Sequence, residues 1–163
     1  MRYSKSVVFL IIWFMWATGK QLDSIVRFPT TSDYYIFTSI DMPWLYFVLA
    51  VPVLVLNVGA LYSLFRPNAL GIRLIYNAIL FGVIQALVSV SVAMQDLDGA
   101  RDAYISGREV RGFPVRAETA DQVFSQNGMM MAVGIISLLY LIVAYYAHRN
   151  REYLLGEASE AHE

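Results

Sequence analysis

Hydrophobic and polar positions along this chain do not alternate at the period of a strand or of a half-buried helix. They separate into blocks. Three blocks, 42–65, 74–95 and 128–147, each run for 20 residues or more without a charge. About 20 residues of helix cross a hydrocarbon layer roughly 30 Å thick, so each block predicts a membrane-spanning helix. Strands are excluded because period-2 alternation is missing and an open sheet leaves backbone groups unpaired in lipid.

A fourth apolar stretch follows Arg2 and Lys5, and it has two readings. Ala17-Thr18-Gly19 offers the small-x-small cut site of a secretory leader, which would remove residues 1–19. Against this, Phe9, Trp13, Phe14 and Trp16 are bulkier than a usual leader core, and the helix can continue past Gly19. Lys20, Asp23 and Arg27 fall at i, i+3 and i+7, where the acid can pair with either base, and Pro29 then ends the segment. A helix over 6–28 is about 35 Å long. The retained helix is the expectation, giving an all-α, four-helix membrane bundle in a single domain.

Charge sets its orientation. The short link RPNALGIR carries Arg66 and Arg73 and no acid, and HRNREY after the last block carries Arg149 and Arg151 against Glu152. The connection 96–127 holds four Arg against six acids, a net of −2. Basic residues favour the cytoplasmic side, so both termini are expected inside and the loops 29–41 and 96–127 outside. Asp41 is placed to cap the second span ahead of Pro43 in its first turn, and Pro52 predicts a kink within it. In the long connection, MQDLDGARDAYIS could prolong the third helix, GREVRGFPVRAE has turn residues with room for short β-like pieces, and AETADQVF could lead into the last span. The end GEASEAHE reads as a solvated acidic tail, with His162 idle.

Composition supports a membrane chain and narrows its chemistry. Of the 163 residues, 58% are hydrophobic and 15% charged, and cysteine is absent. That removes disulfides, thiol catalysis, cysteine-based metal centres and palmitoylation. A net charge of −1 without a basic stripe excludes nucleic acid as a partner. No ionisable side chain lies in the middle of a block, whereas proton-coupled transporters and voltage sensors carry them there. A membrane haem protein needs histidine ligands within its helices, and His148 stands alone at a helix end. No cofactor and no metal are expected.

Uncharged polar residues remain. Matched by depth, Asn57, Gln85 and Ser137 could meet near mid-membrane, and Ser63 with Asn77 nearer the cytoplasmic side. Such residues join helices by hydrogen bonds worth about 0.6–2 kcal/mol, or they line a path for a small neutral solute or a lipid headgroup. Ala78, Gly82 and Ala86 recur every four residues, and Gly59 with Ser63 and Gly128 with Ala132 do the same, a pattern that lets helix backbones approach. The function expected is a non-enzymatic membrane subunit or assembly component. Its partners are membrane lipids and either other membrane subunits or further copies of itself, docked through helix faces and the outer loop. Small size, compact loops and the lack of Asn-x-Ser/Thr acceptors point to a bacterial plasma membrane. The alternatives are a small oligomeric channel or carrier for a neutral solute or lipid, and a lipid enzyme using Asp96, Asp98 and Asp102 at the outer interface. The acids also fit a solvated helix face, since EF-hand spacing is missing.

Overall fold

The computed structural model describes residues 4–38 and 40–156. Within them the chain is helical, with no strand. In chain order the helices are α1 (Lys5–Val26), α2 (Ser32–Thr38), α3 (Pro43–Phe65), α4 (Ala69–Ala93), α5 (Leu97–Glu109), α6 (Ala117–Val123), α7 (Gln126–Arg149) and α8 (Arg151–Leu155). Helices α3, α4 and α7 are long and apolar enough to cross a membrane. The last turns of α1 carry Lys20, Gln21 and Asp23, which shorten its apolar length.

The four long helices close a ring in which α1 packs on α3, α3 on α4, α4 on α7 and α7 on α1. Ser4 at the start of α1 donates a 3.1 Å hydrogen bond to Asn150 after α7, so these two chain segments lie at one end of the ring. Here Leu10, Phe14, Leu64, Ile75, Val143 and Ala147 form one buried core. Leu154 of α8 is buried in the same core, and the Tyr153 hydroxyl donates to the Leu64 carbonyl at 2.7 Å. The polypeptide after α7 therefore folds back as far as Gly156, and the acidic end expected beyond it lies outside the described residues. A second core caps the other end: Phe28, Ile36, Phe37, Tyr46, Val92, Ala100 and Met129 bring α2 and α5 onto the ring. Phe28 stacks on Tyr46 at 4.4 Å between centroids.

Several helix ends differ from the sequence expectation for local reasons. α4 begins at Ala69 rather than Leu74, because the Asn68 side chain accepts from the Leu70 and Gly71 N–H groups and starts the helix early. Asp41 does not cap α3. It adopts a left-handed φ of 56°, and the bonds from Asp41 N–H to Thr38 and from Met42 N–H to Phe37 close α2 in a Schellman-type ending. The expected outer loop 29–41 therefore contains a helix.

The connection 96–127 is also structured, without β pieces among its residues. α4 stops at Ala93, and Asp96 caps a separate helix by accepting from the Gly99 N–H at 2.9 Å. Ala100, Ala103 and Gly107 bury one side of α5, and Arg101 pairs with Asp121 to tie α5 to α6.

Candidate functional site

Between the two cores the ring is not filled. Side chains of α1, α3, α4 and α7 enclose a partly open cavity of about 210 Å³. Trp13, Trp16, Val53, Ile136 and Leu139 give it apolar walls, and Lys20, Gln21, Asn57, Gln85 and Tyr140 supply its polar groups. Aromatic bulk on α1 explains the wall: Trp13 and Trp16 stand 5.6 Å apart, and Trp13 meets Tyr140 edge-on at 6.0 Å. Tyr140 reaches across α4 only because position 82 is glycine, where a Cβ would collide with its hydroxyl.

Asn57 is 6% exposed and lies on the cavity wall. Among the described residues no hydrogen bond engages its side chain, nor those of Gln85 and Tyr140. Gln21 is held, donating from Nε2 to the Ala50 carbonyl at 3.4 Å. That contact joins α1 to α3 two residues before Pro52, where α3 lacks one of its own N–H donors. One side chain of the wall is charged. Lys20 lies 5.2 Å over the Trp16 ring. Asp33 of α2 feels the Lys20 charge, yet burial is the larger effect and raises the pKa of its carboxyl above the ordinary value of 3.8.

Of the sequence candidates, Asn57 and Gln85 share this cavity. Ser137 is half-buried next to Ile136 on α7 and is not part of the wall. Ser63 and Asn77 have different surroundings: Ser63 is buried, donates to the Ala60 carbonyl at 2.8 Å and packs on Gly71, whereas Asn77 is exposed on α4. In the small-residue series, Gly59 faces Leu74, Ala78 is buried in the first core, Gly82 underlies Tyr140 and Ala86 lines the cavity. Pro52 sits inside a helix that stays continuous from Pro43 to Phe65. Gly128 serves the α6–α7 corner, where a Cβ would run into the Gln122 and Val123 carbonyls. Asp98 and Asp102 are exposed, and Asp102 meets Arg101 at 3.2 Å. The described residues contain no group of three His, Cys, Asp or Glu placed to hold a metal ion.

Lys20, Gln21 and Tyr140 were not singled out by depth matching. Tyr140 carried a usable signal, since a hydroxyl at mid-span level with Gly82 has to find an interior position. The resulting chemistry is that of recognition: neutral donors and acceptors set on aromatic and aliphatic walls. No family model, no curated protein and no solved structure matches the chain.

Proposed function

We propose that the chain is a non-enzymatic integral membrane subunit of a plasma membrane. It crosses four times with both termini cytoplasmic, and it docks on other membrane chains through open helix faces and its capped outer end. The observation that carries this reading is Asn77. Its amide is exposed on α4 among exposed Tyr76, Leu80, Phe81 and Ile84. It lies about 6 Å from the helix midpoint by the helical rise, inside the roughly 15 Å half-thickness of hydrocarbon. An amide left there without a partner costs about 1–3 kcal/mol. A polar group on a neighbouring chain removes that cost, with a bond worth about 0.6–2 kcal/mol.

Two further observations support the reading. Leu10 and Phe14 of α1 are buried in the ring core, which favours a retained first helix over a leader. Most of α7 beyond its α1 and α4 contacts is apolar and open, including Met131, Ile135, Leu138 and Leu141. The test is native mass spectrometry of the chain extracted from its own membrane, beside Asn77→Leu. A complex that loses its partner in the variant upholds the reading. A bare monomer in both overturns it.

A further inference from the structure

We propose that the cavity between the two cores binds the neutral, carbonyl-bearing head of a membrane-dissolved amphiphile, independently of which chains dock on the outside. Asn57 argues for a ligand. The residue is 6% exposed and lines the cavity, and its amide opens onto that space without a hydrogen bond to protein. A buried amide in that state is costly unless something in the cavity completes it. Gln85 and Tyr140 add two more donors on the same walls, and a carbonyl oxygen accepts from amide N–H and phenolic O–H alike.

Charge and size narrow the class. Lys20 is the one charged residue on the wall, but it is exposed and lies over the Trp16 ring, so solvent and the ring screen its charge. The other polar groups of the wall, Gln21, Asn57, Gln85 and Tyr140, are neutral. A dry cavity of about 150 Å³ holds benzene, so about 210 Å³ accommodates a substituted ring or a glycerol-ester group but not a whole lipid. The cavity is partly open, so an attached chain does not have to fit inside it. Trp13 and Trp16 suit either head, since flat aromatic walls pack on a ring or on an ester-bearing chain. The shared chemistry is thus a carbonyl on an apolar stem, available from a lipid ester or from a quinone-type ring.

The test uses the full chain in detergent micelles with two probes, a zwitterionic diacyl phosphatidylcholine and a short-chain benzoquinone. Binding is read by native mass spectrometry and by the shift in unfolding temperature. The wild type is expected to hold one molecule of one probe and to unfold at a higher temperature with it. The probe that binds identifies the source. Asn57→Leu should weaken binding at least tenfold while the empty variant unfolds no earlier than wild type, because an unpartnered amide has been removed. Ala86→Phe, which fills the cavity and leaves Asn57 in place, should also abolish binding, and it carries the test if the first variant misfolds. If neither probe binds one-to-one, or if Asn57→Leu binds as tightly as wild type, the site is refuted. An empty Asn57→Leu that unfolds earlier than wild type would instead make Asn57 a helix-joining residue and also overturn the proposal.

Discussion

Replacing Gly71 by alanine tests the packing that sets α3 against α4. A Cβ at position 71 would stand 2.7 Å from the Ser63 Cβ and 3.1 Å from its hydroxyl oxygen. The Ser63 Cβ is fixed to the α3 backbone and cannot swing away, so the two helices must separate by several tenths of an ångström or more. Overpacking of this kind costs about 1–3 kcal/mol. Alanine recovers up to about 1 kcal/mol through its higher helix propensity. The expected net loss is about 0–2 kcal/mol against wild type, and about 1–3 kcal/mol against a glycine-to-alanine change that meets nothing, measured by reversible denaturation in mixed micelles with tryptophan fluorescence as the signal. Gly134→Ala is the matched control, because nothing lies within 4 Å of a Cβ there and only the propensity gain remains. Adding Ser63→Gly should relieve the Gly71→Ala contact, so the double variant should lose less than the two single losses combined. The reasoning fails if Gly71→Ala is as stable as Gly134→Ala, since α3 and α4 would then not approach as described.

Two further substitutions probe the capped end. Gly128→Ala should cost more than Gly71→Ala, because a Cβ there meets the backbone carbonyls of Gln122 and Val123 and no side chain can yield. Loss of the α6–α7 corner would appear as early proteolysis between these helices, and an unchanged digestion pattern would contradict it. Asp33→Asn tests burial against attraction to Lys20. Burial raises the Asp33 pKa, so the stability of the protonated form is fully present below its unfolded value of about 3.8 and is lost as pH rises through the higher folded value. The variant should match wild type in acid and be more stable near neutrality. Lower stability near neutrality would mean that Lys20 outweighs burial.

Blocks of charge-free apolar residues made α3, α4 and α7 legible in the sequence, because lipid leaves helix as the economical backbone solution for such runs. Their ends were less legible. Asn68 starts α4 early, and Asp41 ends one helix instead of starting another. α2 was missed because seven residues hold no helix alone; Phe37 and Ile36 are fixed by the core around Phe28 and Tyr46. Depth matching put Asn57 within about 5 Å of the level of Gln85, because residue spacing along a helix measures depth. It could not give azimuth. Helices that are apolar all round have no polar stripe to orient them, so Ser137 could not be told from Tyr140 as the α7 residue at the cavity. The pairing of Ser63 with Asn77 failed in depth instead: α4 begins at Ala69, ahead of the charge-free block, and Gly71 is the residue level with Ser63.

The chain's lack of cysteine allows a direct test of four crossings. Single cysteines at Ser4, Asn68 and Ser106, each exposed, would be labelled in intact cells with a membrane-impermeant maleimide before and after permeabilisation. The account predicts that Ser106→Cys reacts from outside at once, whereas Ser4→Cys and Asn68→Cys react only after permeabilisation. Reaction of Ser4→Cys from outside, or its loss from the mature chain, would show that α1 does not complete the ring across the membrane.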